Sequence, residues 1–263
     1  MSLNLHNQVV LITGASAGIG AACALAFAEQ EVRLLLCARR LERLREMEPG
    51  LIAAGAPAVH SFALDVRDNN AVATALDGLP EEWRAIDVLV NNAGLSRGLD
   101  PVQEGSLEDW DEMIDTNVKG LLHVSRAVLP GMVERGRGQV INIGSVAGHE
   151  VYPKGNVYCA TKFAVGAITK GMQLDLHGTG VRVSTVDPGM VETEFSLVRF
   201  RGDDRRASAV YDTTTPLLPE DVAEAVLFCA TRPLRASVHE LLLMPSVQAS
   251  PTMLIRHTER TPR

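Results

Sequence analysis

The sequence predicts a doubly wound α/β fold of the Rossmann type, in which helices cover both faces of a central, mostly seven-stranded parallel sheet. Two observations predict it: short apolar runs alternate with helical patterns along the chain, and the first run leads into a glycine-rich turn. With 263 residues, 46% of them hydrophobic, the chain can bury a large core. Because no repeat or composition break divides it, we expect a single domain over residues 1–263.

Seven segments have the apolar pattern of strands that are buried in a parallel sheet. They are residues 9–12, 32–36, 58–63, 87–90, 139–143, 181–186 and 240–244. Helical patterns lie at residues 21–30, at 41–47, from about 69, at 107–132, around Tyr158 towards His177, and at 221–230. Residues 194–218 are polar, arginine-rich and weakly periodic, so we expect a substrate lid at about 190–218, followed after the last strand by a tail at 246–263.

Composition narrows the classes of partner. The formal net charge of −7 argues against nucleic acid, because phosphate binding needs a basic surface. The chain shows no signal-peptide pattern at its start and no apolar run of the ~18 residues that a membrane span needs, so we expect a cytoplasmic protein that binds small molecules. The four cysteines lack paired spacing, which predicts buried free thiols, and the seven histidines lack ligand spacing, so no metal site is expected.

The glycine-rich turn has the sequence Thr13-Gly-Ala-Ser-Ala-Gly-Ile-Gly20 and follows the first predicted strand. Glycines let the backbone approach a pyrophosphate, and the start of the following helix offers free N–H groups and a positive dipole end. Strand, turn and helix in this order therefore predict a dinucleotide site.

The end of the second predicted strand indicates which dinucleotide binds. Arg39 and Arg40 stand where an NAD site usually carries an acidic residue, and no acid occurs until Glu42. Guanidinium groups can hold the 2′-phosphate of NADP, so the sequence favours NADP(H). The alternative is that both arginines form the solvated start of a charged helix.

Three further strand ends carry polar residues towards the same sheet edge. Asp65 could hydrogen-bond an adenine amino group, or it could cap the helix that starts near residue 69. The tetrapeptide Asn91-Asn-Ala-Gly94 is typical of a tight turn with close backbone approach. The fifth predicted strand delivers Ser145, while Asn117 lies inside a helical pattern that suits asparagine poorly.

Tyr158 and Lys162 stand four residues apart, so on a helix their side chains share one face. A nearby ammonium favours the ionised phenol and lowers its pKa, which would let Tyr158 exchange a proton with an alcohol or a carbonyl. By itself this spacing also fits an ordinary aromatic residue at a helix start beside an exposed lysine.

Together these features resemble the short-chain dehydrogenase/reductase family. The motifs that carry the resemblance are the turn at residues 13–20, Asn91-Asn-Ala-Gly94, Asn117, Ser145, Tyr158-x-x-x-Lys162 and Pro188-Gly189. The lid at residues 190–204 and the tail at 244–250 are similar to the branch of NADP-dependent 3-hydroxy acid and serine dehydrogenases.

The resemblance implies a catalytic tetrad and a homo-oligomer, either a dimer or a homotetramer. Tyr158 would be the acid in reduction and the base in oxidation, and Lys162 would lower its pKa and hold the nicotinamide ribose. Ser145 would hydrogen-bond the substrate oxygen, and Asn117 would anchor a water of the proton relay. The implied NADP(H) contacts are Gly14, Ser16, Gly18, Ile19, Gly20, Arg39, Arg40, Asp65, Val66, Asn92, Ala93, Gly94, Tyr158, Lys162, Pro188, Gly189, Val191 and Thr193.

The substrate is less well defined by the sequence. A 3-hydroxy acid brings a carboxylate that needs a cationic partner once it is buried. The candidates are Arg97, Arg199 and Arg201, with solvated surface charges as the alternative. Ser145 and Met190 are further substrate candidates, and the segment His149-Glu150 fits either the pocket mouth or the loop surface.

Three hypotheses follow. The favoured one is an NADP-dependent dehydrogenase of short 3-hydroxy acids of the serine and 3-hydroxypropionate type. The second is a broad carbonyl or 3-oxoacyl-thioester reductase that uses the same tetrad. The third is a non-catalytic NADP(H)-sensing protein, against which the filled catalytic positions argue, because a sensor needs neither Tyr158 nor Ser145.

Overall fold

The structure, a computed structural model, describes residues 3–257 and contains one parallel sheet. Within these residues the seven strands are β1 (Val9–Thr13), β2 (Arg33–Ala38), β3 (Val59–Ala63), β4 (Ile86–Asn91), β5 (Gly138–Ile143), β6 (Val181–Pro188) and β7 (Glu240–Leu243). Their order across the sheet is β3-β2-β1-β4-β5-β6-β7. The predicted fold class is confirmed, because apolar runs of this length are stable only when helices cover both faces of the sheet.

The same part of the chain forms nine α-helices. They are α1 (Gly18–Ala28), α2 (Leu41–Ala53), α3 (Asn69–Asp77), α4 (Leu107–Ile114), α5 (Leu121–Glu134), α6 (Asn156–Asp175), α7 (Phe195–Arg199), α8 (Asp204–Tyr211) and α9 (Pro219–Ala230). A π-helical turn, Asp115–Gly120, joins α4 to α5 and keeps the predicted long helical path continuous. Two short helices, α7 and α8, occupy the segment predicted as a lid, and residues 258–263 of the predicted tail lie outside the described residues.

Alternating side chains of the sheet build two cores. Val10 and Ile12 of β1 belong to a cluster with Phe27 of α1 and Val226 of α9. On the opposite face, Leu11 belongs to a cluster to which α3, α5 and α6 also contribute. Since both faces of β1 are buried, its residues are almost all apolar, which explains why the strand pattern could be read from the sequence.

The four cysteines are buried free thiols, as predicted. They are Cys23, Cys37, Cys159 and Cys229, and all four are buried. Burial raises the pKa of the Cys23 thiol to about 12, which keeps it protonated and unreactive at neutral pH.

None of the helices in the described part of the chain combines the length and the apolar character that a membrane crossing requires.

The carboxyl ends of the strands create the site. The chain continues from β1 outwards to β2 and β3 on one side, and from β4 to β7 on the other. In sheets of this type, ligands bind in the crevice where the strand order reverses, which here lies between β1 and β4. The turns that follow β1, β4, β5 and β6 all meet at that edge.

Asp68, not Asp65, caps α3, so the capping alternative for Asp65 was wrong. The Asp68 carboxylate accepts from the backbone N–H groups of Asn70 (2.9 Å) and Ala71 (3.0 Å). Asp65 instead accepts hydrogen bonds from Arg67, whose guanidinium holds the pKa of the Asp65 carboxyl below its usual range.

Substituting Asp68→Ala is expected to lower the free energy of unfolding by about 1 kcal/mol, because two helix N–H groups lose their acceptor. Chemical denaturation followed by circular dichroism measures the change. Asp77→Ala at the exposed carboxyl end of the same helix is the matched control. An equal loss in both variants would contradict the capping role.

Candidate active site

A cavity of about 270 Å³ lies at the carboxyl edge of the sheet. The sequence-predicted cofactor residues on its wall are Gly14, Ser16, Gly18, Ile19, Arg39, Arg40, Asp65, Val66, Asn92, Ala93, Gly94, Tyr158, Lys162, Pro188, Gly189, Val191 and Thr193. Ser145 lies on the same wall, whereas Gly20 lies behind it, where a Cβ would come within 2.5 Å of the Asn92 side chain. The fold thus gathers the predicted cofactor residues from six segments around one cavity, and their assignment to a cofactor stays a prediction.

The glycine turn leads into the uncapped start of α1. Gly14 and Gly18 have φ angles of +64° and +54°, a region that glycine adopts without steric cost. The N-cap of α1 is Ala17, which provides no side-chain hydrogen bond, and the first turn of α1 contains no acidic residue. The free N–H groups and the positive end of the helix dipole are therefore available to an anion.

The Asn-Asn-Ala-Gly segment does more than form a tight turn. The Asn92 amide donates to the carbonyl groups of Thr13 (2.9 Å) and Gly14 (3.1 Å). In return, the Thr13 hydroxyl accepts from the backbone N–H groups of Asn92 and Ala93, each at 3.0 Å. These bonds fix the end of β4 against the glycine turn and set the width of the cleft between them.

Three arginines surround one end of the cavity. Arg40 donates to the Ser16 hydroxyl (3.3 Å) and to Glu194 (3.2 Å), and Arg43 also binds Glu194 (2.8 Å). Arg39 lines the cavity beside them, with its guanidinium 3.9 Å from Glu112. Arg39 and Arg40 are half exposed, as a solvated helix start would be, yet both face the cavity. Arg43 and Glu194 were missed, although Arg43 stands one helical turn after Arg40 in the sequence.

Lys162 and Ser145 face the cavity beside Tyr158. The Lys162 ammonium donates to the carbonyl of Ile143 (2.9 Å) and lies 6.0 Å from the centre of the Tyr158 ring. The Ser145 hydroxyl accepts from the N–H of Ala147 (3.1 Å), so its own hydrogen remains available to a second acceptor. The Tyr158 ring packs edge-on against Phe195, with centroids 5.5 Å apart.

The electrostatics of Tyr158 differ from the sequence-based expectation. Burial raises the pKa of its phenol above the usual range, and Tyr152 adds to the rise, while Arg199 and the hydrogen bond with Ser145 oppose it. Lys162 is itself buried, and loss of hydration lowers the pKa of its ammonium to about 8. The groups that oppose the rise are thus Arg199 and Ser145 rather than the expected Lys162, and desolvation outweighs them.

Asn117 lies in the π-helical turn behind the cavity wall. Its side-chain oxygen accepts from the N–H of Leu95 (2.8 Å), and its amide donates to the Leu95 carbonyl (2.8 Å) and to the Thr161 hydroxyl (3.0 Å). Asn117 thus joins the loop after β4 to α6, which carries Tyr158. Thr116, which the sequence reasoning missed, lies on the cavity wall with a buried hydroxyl that has no hydrogen-bond partner among the described residues.

The three candidate arginines for a substrate carboxylate have different partners. Arg97 binds Glu112 (2.6 Å) and the carbonyl of Val198, and Arg201 binds Asp109. Arg199 donates instead to the hydroxyls of Ser96 (3.1 Å) and Tyr152 (3.0 Å). Its guanidinium carbon lies 5.4 Å from the Tyr158 ring centre. Arg199 is thus a cation beside the phenol, and its bonds to Ser96 and Tyr152 involve neutral hydroxyls rather than a carboxylate.

The predicted segment His149-Glu150 and the substrate candidate Met190 do not line the cavity. His149 binds Asp187 (2.8 Å) and does not line the pocket mouth. Glu150 is exposed on the loop surface. Met190 donates its N–H to the side chain of Gln248 (2.8 Å), which attaches the described part of the tail to the loop after β6. Phe195 and Val198 of α7 complete the wall, and neither was singled out, because their positions depend on how the lid folds back.

Comparisons with known proteins agree with this arrangement. The family model described as short chain dehydrogenase matches residues 8–202. The NADP-dependent 3-hydroxy acid dehydrogenase YdfG of Salmonella typhi is 49% identical over 243 residues, which cover 92% of this chain and 96% of the relative. Sulfoacetaldehyde reductase 2 of Chromohalobacter salexigens is 48% identical over 244 residues, with the same coverage of both chains. The closed form of serine dehydrogenase complexed with NADP+ superposes with a TM-score of 0.89 at 46% identity, covering 95% of this chain and 100% of that one.

Proposed function

The chain belongs to the short chain dehydrogenase family, and we propose that it transfers a hydride between NADP(H) and a short 3-hydroxy acid of the serine or 3-hydroxypropionate type, or its 3-oxo form. The chain is an NADP-dependent oxidoreductase that acts on a hydroxyl or carbonyl group. The choice of an acid as substrate is supported mainly by Arg199 beside Tyr158.

The residues at the cavity fit NADP(H). The uncapped start of α1 suits the pyrophosphate, and Arg39, Arg40 and Ser16 suit the 2′-phosphate. When bound, the nicotinamide supplies or accepts the hydride. The protein residues then have three tasks: to orient the substrate, to exclude water and to move one proton.

Substituting Arg40→Ala is expected to weaken NADPH binding about tenfold and to leave NADH binding near that of the parent protein. A hydrogen bond to a charged group contributes ~1.5–3 kcal/mol, and the half-exposed position of Arg40 favours the lower end. Fluorescence titration of both cofactors measures the change. Arg45→Ala, an exposed position further along α2, is the control. Equal weakening of both cofactors would contradict the assignment of Arg40 to the 2′-phosphate.

The proton would move at the Tyr158 hydroxyl. Because burial raises the pKa of this phenol, Tyr158 is protonated at neutral pH and suits the role of acid in carbonyl reduction. We assign Ser145 to the substrate oxygen, where its hydroxyl can donate as negative charge develops. Asn117 joins the π-helical turn to α6 through Thr161, and the same side chain holds the loop that contains Leu95. We therefore assign Asn117 to the support of this geometry.

Arg199 would hold the carboxylate of the substrate. It approaches Tyr158 from the lid, and its contacts with Ser96 and Tyr152 involve neutral hydroxyls. A guanidinium with neutral partners keeps its charge available to an incoming carboxylate or sulfonate, whereas Glu112 and Asp109 already neutralise Arg97 and Arg201. The proposed substrate is therefore a small acid whose reacting carbon lies close to its anionic group.

A substrate panel tests the proposal through the absorbance of NADPH. NADP or NAD is supplied with serine, allo-threonine, 3-hydroxypropionate, 3-hydroxyisobutyrate or a neutral secondary alcohol. We expect turnover of the acids with preference for NADP. Turnover of the neutral alcohol alone would favour the broad carbonyl reductase, and tight NADPH binding without any turnover would favour the sensor.

We further propose a homo-oligomer in which α6 contributes to an interface. Phe163 and Leu174 leave large apolar areas of this helix exposed, at 43% and 79% of their surfaces. Exposed apolar area of this kind on a helix often marks a protein contact. Size-exclusion chromatography with light scattering would measure the mass, and a monomer would contradict the proposal.

A further inference from the structure

Asp187 is a buried carboxylate at the end of β6, directly before Pro188-Gly189. It is only 4% exposed, and each of its oxygens accepts a hydrogen bond. The Thr185 hydroxyl donates to Oδ1 (2.6 Å), and Nε2 of His149 donates to Oδ2 (2.8 Å). Burial raises the pKa of Asp187, while the bonds from Thr185 and His149 oppose that rise. Such donors favour the ionised form of a carboxyl group that water does not reach.

Both members of this pair are connected to the turn that carries Ser145. Gly144, one residue before Ser145, packs directly on Asp187, and a Cβ at Gly144 would overlap Oδ1. Its N–H also donates to the Val186 carbonyl (2.8 Å). His149 lies four residues after Ser145 in the same loop. The Asp187–His149 pair therefore attaches both ends of the Ser145 turn to β6.

The pair also lies close to Lys162. The Lys162 ammonium is buried, and its hydrogen bond to the Ile143 carbonyl supplies a neutral acceptor rather than a negative charge. Asp187 is the acidic group whose charge counteracts the loss of hydration at Lys162. Ile143 directly precedes Gly144, so the lysine and the carboxylate approach neighbouring residues of the same strand end.

We propose that Asp187 and His149 are positioning residues: Asp187 supplies the buried negative charge that keeps Lys162 protonated, and His149 keeps Asp187 ionised while fixing the Ser145 turn. Two further charged groups face this pair. Glu240, at the start of β7, places a carboxylate oxygen within 4.8 Å of the His149 and Asp187 atoms, and Lys170 of α6 lies 3.6 Å from Glu240. The consequence of this arrangement for catalysis rests on the proposed function, whereas the effect of Asp187 on the protonation of Lys162 does not.

A direct test is the titration of Lys162 by NMR, using protein that contains 13C-labelled lysine. The chain has four lysines, Lys119, Lys154, Lys162 and Lys170, so its ε-CH2 signals are few, and Lys162→Arg identifies the relevant one. In Asp187→Asn, we expect the pKa of Lys162 to fall by about 1, the lower end of the effect of a nearby opposite charge. Glu240→Gln, which removes the partner of Lys170, is the control and should alter mainly the Lys170 signal. An unchanged Lys162 titration in a folded Asp187→Asn protein would overturn the proposal.

Kinetics and metal addition complete the test. In Asp187→Asn, the loss of alcohol oxidation at alkaline pH should begin at a lower pH than in the parent, because Lys162 loses its proton earlier.

His149→Ala should lower kcat, and His149→Gln, which keeps an amide donor, should restore part of it. The proposal would be overturned if both His149 variants had the same kcat. It would also be overturned if added Zn²⁺ changed the Lys162 titration, because His149, Asp187 and Glu240 would then form a metal site. A lack of turnover with every substrate would refute the proposed function and leave the NMR result intact.

Discussion

The Tyr158→Phe variant should lose at least ~10²-fold in kcat, the lower range for removal of a positioned acid or base, while its affinity for NADPH stays near that of the parent. The substitution removes only the hydroxyl, which is the group that exchanges the proton in the proposed reaction. The ring remains, and so does its edge-on contact with Phe195 (5.5 Å). Loss of rate without loss of cofactor affinity would separate a chemical role of Tyr158 from a packing role.

Steady-state kinetics with the best substrate of the panel, together with fluorescence titration of NADPH, measures the two quantities. Tyr211→Phe is a matched control, because its hydroxyl binds Ser196 (2.9 Å) and the Val191 carbonyl (3.0 Å) within the lid segment. We expect the control to retain most of the parental kcat. A Tyr158→Phe enzyme with parental kcat would refute the proposed mechanism.

The Arg199→Gln variant should lose ~10–150-fold in kcat/KM for a 3-hydroxy acid, because a hydrogen bond to a charged group contributes ~1.5–3 kcal/mol. The loss should appear mainly in KM, since the carboxylate is held in the ground state as well as in the transition state. Any turnover of a neutral alcohol should change little, because that substrate has no group for Arg199 to bind. Kinetics with the acid and the neutral alcohol in parallel measures this difference.

Arg201→Gln is the matched control for Arg199. Both arginines lie at the same end of the lid segment, but Arg201 is exposed and paired with Asp109. We expect the Arg201 variant to keep the parental KM for the acid. Equal losses in the two variants, or an equal loss with acid and neutral alcohol, would show that Arg199 acts through the shape of the lid rather than through its charge.

The sequence by itself was sufficient for the parts of the molecule that depend on local order. Parallel strands covered on both faces must be apolar throughout, so the run at residues 9–12 predicted β1 with one further residue at its end. The glycine turn was predictable for a similar reason, because Gly14 and Gly18 adopt positive φ angles that few other residues tolerate. Tyr158 and Lys162 share one face of α6 as their spacing required.

The tertiary structure decided which charged groups are neutralised. Arg97, Arg199 and Arg201 looked equivalent in the sequence, but Glu112 and Asp109 bind two of them from α4, and Arg199 contacts Ser96 and Tyr152 instead. These partners are separated by 15 to 103 residues along the chain, so no local pattern reveals them.

The tertiary structure also decided the charge states at the centre of the site. The spacing of Tyr158 and Lys162 predicted a lowered phenol pKa, yet burial raises it and lowers the pKa of Lys162. The Asp187–His149 pair, 38 residues apart, forms only when β6 meets the turn after β5. Local sequence fixes backbone shape and side-chain spacing, whereas hydration and charge pairing depend on what the whole fold places around each group.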